Sequence, residues 1–164
     1  MLNELERLHY CFDANGSQIS LRYDMTALLE LERGGLSYED IFAERITGGA
    51  LVKFLEIGCA AEIDGAEIIR AIGALSLWEH VRAAVMLALP VRDPLCVDIS
   101  ENNGEPPDMA RLRCLICDIM RKPEDFFWSS TLRELFERWQ EFAEVKGYAK
   151  QRDRIQMFDT EGME

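Results

Sequence analysis

Apolar residues recur at helical spacing along most of this chain and alternate at strand spacing only near its start. Residues 8–12 (LHYCF) and 18–22 (QISLR) are β-prone runs on either side of Asp13-Ala14-Asn15-Gly16. An Asn-Gly pair between such runs predicts a tight hairpin turn, although the first run also fits the continuation of a helical turn. Residues 24–33 then read as a helix, with Asp24 as cap, Ala27, Leu28 and Leu31 as the inner stripe, and Gly34-Gly35 as the stop. A further helix opens at Ser37, with Glu39 and Asp40 in its first turn and Tyr38, Ile41 and Phe42 facing inward. Thr47-Gly48-Gly49 breaks or caps, and residues 50–59 continue with Leu51, Val52, Phe54, Leu55 and Ile57. Asp64 caps 65–72, and Ser76 caps 77–89. In the latter, Leu77, Trp78, Val81, Val85 and Ala88 or Leu89 share a face that Ala83, Ala84 and Met86 widen. That breadth predicts the central helix of a first domain spanning residues 1–90.

Residues 91–107 read as a linker. With Pro90, they hold four prolines, two adjacent asparagines and a glycine, all of which disfavour a regular helix. LCVDIS fits a short strand inside it. A second, small helical domain is expected over 108–147. Asp108 caps a helix to Arg121, and a segment with three adjacent aromatics, Phe126, Phe127 and Trp128, follows Pro123. Ser129, Ser130 or Thr131 can supply the next cap, with Glu134 three residues after Thr131 as a capping box requires. Leu132, Leu135, Phe136, Trp139, Phe142 and Ala143 then draw one stripe, and Gly147 stops the helix. Three neighbouring aromatics cannot all enter one small core from a single helical turn, so at least one should meet another element or another protein. Residues 148–164 are polar and without a stripe, which predicts a disordered tail. The expected fold class is therefore mainly α: a short N-terminal β-hairpin, a multi-helix domain, a proline-rich linker and a small C-terminal helical segment.

Composition narrows the function. The 164 residues are 48% hydrophobic and 29% charged, as in folded globular chains. No apolar run approaches the ~20 residues that a membrane helix needs, and the first ten residues lack the layout of a secretory signal. The net charge of −12 is spread along the chain: 14 acidic and 7 basic residues in 1–90 (−7), 16 and 11 in 91–164 (−5). This disfavours direct binding to nucleic acid or anionic lipid and permits a basic partner. Five cysteines, an odd number, suit reduced thiols better than a disulfide framework. Cys114 and Cys117 form a lone CxxC in an apolar helical run. With no second pair and only His9 and His80 as histidines, burial is the better reading than zinc or redox chemistry. Gly48-Gly49 lacks the remaining residues of a phosphate loop, and no serine lies in a GxSxG context. No catalytic residue, cofactor or metal ligand is nominated, and the expectation is a protein that is not an enzyme.

Two stretches, taken in order, resemble the tail assembly chaperones of long-tailed bacteriophages and gene-transfer agents. The first runs LRYDMTALLELERGGLSYEDIF, ALVKFLEIGCA, GAEIIRAIGA and ends in an alanine-rich helix followed by LP. It carries the family's acidic LE near a helix end (Leu29-Glu30 or Leu31-Glu32), then Gly34 or Gly35, then Leu51, Leu55 and Gly58. The second, RKPEDFFWSSTLRELFERW, is similar to a later helical segment through Pro123, Phe127-Trp128 and Thr131-Leu132-Arg133-Glu134-Leu135. Leu132 departs from the pattern, standing where a proline is frequent, and 90–107 has no counterpart. The resemblance implies a non-enzymatic assembly factor of the host bacterial cytoplasm, absent from the mature virion. It would keep the tape measure protein soluble and help recruit tail tube protein, with self-association favoured by many copies acting along one filament. By that analogy the first domain holds the tape measure and the segment around Phe126, Phe127 and Trp128 serves tube-protein recruitment, with Phe126, Phe127, Trp128, Leu132, Leu135 and Trp139 as the expected partner-binding residues. The alternative consistent with the charge is an acidic inhibitor or nucleic-acid mimic.

Overall fold

The computed structural model describes residues 9–43, 45–90 and 109–147, and over these the chain is mainly helical with one N-terminal two-stranded sheet. Strands β1 (Tyr10–Ala14) and β2 (Ser17–Leu21) pair antiparallel, from Tyr10 opposite Leu21 to Ala14 opposite Ser17. Only Asn15 and Gly16 remain for the turn, both at positive φ (52° and 77°), the twist that a two-residue hairpin favours. Asp13 and Ala14 thus belong to the strand, two residues beyond the apolar run that suggested it. Phe12, Ala14, Ile19 and Leu21 form the buried face.

Helix α1 (Met25–Arg33) is capped by Asp24, whose carboxylate accepts from Ala27 N at 2.9 Å, and it ends at Gly34. A short 3-10 helix, Tyr38–Phe42, follows, with Ser37 N donating to Asp40 Oδ2 at 2.6 Å. Ile41 is buried as expected. Phe42 is not; it lies on the outside, with the Arg82 guanidinium over its ring at 5.8 Å and over Trp78 at 5.2 Å. Helix α2 (Gly48–Gly58) starts from Thr47, whose Oγ1 accepts from Ala50 N, and α3 (Gly65–Ile72) from Asp64, which accepts from Ala66 and Glu67.

Helix α4 (Ala74–Ala88) begins earlier than Ser76 suggested, because Gly73, at φ 85°, separates it from α3. Its buried face is Leu77, Val81, Ala84, Val85 and Ala88, whereas Met86 is 53% exposed and does not widen the core. No single described helix is long and apolar enough to cross a membrane.

Residues 91–108, which include the expected linker, its LCVDIS strand and the Asp108 cap, lie outside the described residues, as does the tail from 148. Helix α5 (Met109–Arg113) passes into a π-helical turn, Cys114–Ile119, that periodicity did not signal. Arg121, at φ 55°, closes the segment. Helices α6 (Glu124–Ser129) and α7 (Leu132–Val145) meet at Ser130-Thr131. Thr131 is the cap of α7: its Oγ1 accepts from Glu134 N at 3.2 Å, and its own N–H donates to Glu134 Oε2 at 2.7 Å. Gly147, at φ 72°, follows the last turn as anticipated. Phe136, placed in the inner stripe by spacing, is instead 37% exposed at its edge.

The helices on either side of 91–108 share one hydrophobic cluster. Helix α2 packs on α1, α3 and α4; α6 packs on α1, and α7 on α4. Polar contacts fix the same junction. Met25 N donates to Ser130 O at 3.0 Å, and Arg22 Nη2 reaches both Ser129 O (3.0 Å) and Glu134 Oε2 (2.8 Å). From α7, Arg133 donates to Leu89 O (2.8 Å) and Met86 O (2.9 Å), meeting carbonyls that the end of α4 leaves open.

Candidate binding groove

The aromatic segment separates into three roles once α6 is folded. Phe127 is 1% exposed and enters the core between α1 and α7. Phe126 and Trp128, one residue to either side, are half-buried, as the 100° step of a helix requires. Phe126 lies under Lys122 Nζ at 5.7 Å. Trp128 meets Phe127 edge-on, with ring centroids 5.2 Å apart, and its Nε1 donates to Glu124 Oε1 at 3.3 Å. Glu124 also takes Arg113 Nη2 at 2.6 Å, so α5 and α6 are tied at the surface beside the indole.

An apolar groove of about 270 Å³ opens at this point. It is lined by Met25, Leu28, Leu29 and Glu32 of α1 and by Met109, Ala110 and Arg113 of α5. Tyr38, Trp128 and the buried Phe127 and Leu132 complete its lining. Of the six residues singled out for partner binding, the fold brings Phe127, Trp128 and Leu132 together here. It does not bring the others. Leu135 is wholly buried beneath α7, Phe126 faces Lys122, and Trp139 stacks on Phe142 at 5.8 Å further along the helix.

The inner stripe of Ala27, Leu28 and Leu31 does not include Leu29, which entered only through the Leu29-Glu30 pair of the family resemblance, so the α1 side of the groove was not foreseen. Adjacent leucines on a nine-residue helix widen its apolar face beyond one neighbour. Met25, four residues before Leu29, was the signal available.

The groups with potential chemistry lie elsewhere and are engaged structurally. His80 Nδ1 is 3.0 Å from the Tyr10 hydroxyl, and its ring stacks on Phe12 with centroids 4.3 Å apart, which joins α4 to the hairpin. Cys114 is exposed rather than buried, and its thiol is pushed up, first by its hydrogen bond with Asp118. Burial pushes up Cys117, against the opposing charge of Arg113. Both shifts run opposite to those that make a reactive thiolate. Among the described residues no group of three or more His, Cys, Asp or Glu side chains is placed to hold a metal ion. Compared with protein-family models, with curated proteins and with solved structures, the chain finds no match in any of the three.

Proposed function

We propose that this chain is a tail assembly chaperone that holds the tape measure protein soluble and helps recruit tail tube subunits, acting without catalysis in the cytoplasm of a bacterial host. One observation carries the reading: the two stretches that resemble the family contribute to a single apolar groove. Helix α1 comes from the first stretch, and Phe127, Trp128 and Leu132 come from the second. A long, helical, aggregation-prone client needs apolar surface presented on a soluble body. A groove rimmed by charge on a chain of net charge −12 offers that combination.

Co-expression tests it directly. A tape measure protein encoded beside this chain is expected to move from the insoluble to the soluble fraction and to co-purify with it. An insoluble client at matched expression, with no co-purification, refutes the reading.

A further inference from the structure

We propose that the groove between α1 and α5 takes an amphipathic helical segment of another polypeptide, one that carries a lysine or arginine beside its apolar stripe to pair with Glu32. The inference rests on the chaperone reading insofar as it names the kind of client segment bound. Its geometry stands on the groove alone.

Three features select this occupant. First, the groove is lined by helices and not by a sheet edge, so strand addition has no template and recognition runs through side chains. Met25 to Glu32 spans about two turns of α1, which matches a partner presenting apolar anchors at i, i+3 or i+4, and i+7. Second, two methionines, the buried Met25 and the half-buried Met109, are among the residues that line the groove. Unbranched, polarisable side chains adapt to differing apolar shapes, which suits a repetitive client more than one small molecule.

Third, the rim charges are unequal. On the α5 side Arg113 is neutralised by Glu124 at 2.6 Å. On the α1 side Glu32 makes no ion pair among the described residues, and it sits in the last turn of its helix, where the backbone dipole adds negative potential. With a net charge of −12 behind it, that rim repels an acidic segment and steers a basic one.

The test uses the full chain and two fluorescein-labelled amphipathic peptides of about 15 residues, one built from leucine and lysine and the other from leucine and glutamate. Anisotropy titration should show the lysine peptide binding about two- to fivefold tighter than the glutamate peptide, with the gap closing at high salt. Leu29→Glu should weaken binding about tenfold or more. Glu32→Lys, at an exposed position, should reverse the preference between the peptides. Leu75→Glu, on an exposed part of α4 far along the chain, should change nothing.

Equal affinity for both peptides, or equal loss in Leu29→Glu and Leu75→Glu, overturns the proposal. So does a concentration-dependent dimer that Leu29→Glu abolishes, since the occupant would then be a second copy. The same variants separate this inference from the chaperone reading. If Leu29→Glu and Glu32→Lys still solubilise a tape measure protein, the groove is the wrong site and the function stands. If the peptide preferences hold but no client is solubilised, the groove stands and the function falls.

Discussion

Tyr23 and Gly58 fit against each other with no room for a side chain on the glycine. The Tyr23 ring is fully buried, its hydroxyl donates to Phe54 O at 2.6 Å, and a Cβ on Gly58 would lie 2.6 Å from Cζ of that ring. Gly58 O meanwhile accepts from Arg22 N at 2.8 Å, so the backbone on neither side is free to retreat. Gly58→Ala should therefore destabilise by about 1–3 kcal/mol in urea melts, the usual cost of overpacking, despite the better helix propensity of alanine. The hydroxyl offers a second reading by pH. Burial, and to a lesser degree the nearby Cys59, raise the Tyr23 pKa far above its ordinary value. The folded state thus holds a proton that the unfolded chain releases from about pH 10. Stability from this group is whole below that pH and falls above it by about 1.4 kcal/mol per unit. Tyr23→Phe should be less stable at neutral pH by about 1–2 kcal/mol, through the unpaired Phe54 carbonyl. It should also lose less on going from pH 10 to 11, so the two melting curves converge. Parallel curves would mean that the hydroxyl ionises freely in the folded protein.

At the scale of elements, Glu134 is shared between two tasks. One carboxylate oxygen closes the capping box of α7 and accepts from Arg22, whose side chain is only 10% exposed. Glu134→Ala should cost about 2–4 kcal/mol, combining a lost cap with a desolvated guanidinium that loses its ion-pair partner. A double-mutant cycle with Arg22→Met should recover about 1 kcal/mol or more as coupling; additive losses would show that the cap alone matters. Thr131 and Glu134 were legible in advance because a capping box is local chemistry written in four residues. The hairpin turn and the Asp24 and Asp64 caps were legible for the same reason. The partner of Glu134 was not, since Arg22 lies 112 residues away and no periodicity links them. The π-helical turn was equally hidden: Leu112 and Ile116 keep helical spacing while the backbone pairing shifts by one residue, as from Met120 N to Leu115 O at 3.0 Å. Phe126, Phe127 and Trp128 show the same limit. Spacing required that they diverge, but only the position of α1 decided which one entered the core and which one met the groove.

For the molecule as a whole, the difference between Phe127 and Trp128 separates folding from function. Phe127 joins the cluster shared by the two parts of the chain, and truncating a buried aromatic costs about 3–5 kcal/mol. Phe127→Ala should lower the melting temperature and loosen α6 against α1. Trp128 lies half-buried along the groove, tethered through its indole to Glu124. Under the proposed function, its replacement by alanine should remove client contact more than core packing, so the melt should shift little while co-purification of the tape measure protein falls. The acidic body matters to the same result. A net charge of −12 makes copies of the chain repel one another, and under the proposed function each bound segment of client would acquire that repulsion in place of its own exposed apolar stripe. Client solubility conferred by the chain should therefore fall as salt rises, even though apolar contacts strengthen under the same conditions. Salt-independent solubility, together with a Trp128→Ala variant that unfolds like Phe127→Ala, would reduce the groove to a seam in the core and leave the charge without a role in holding the client.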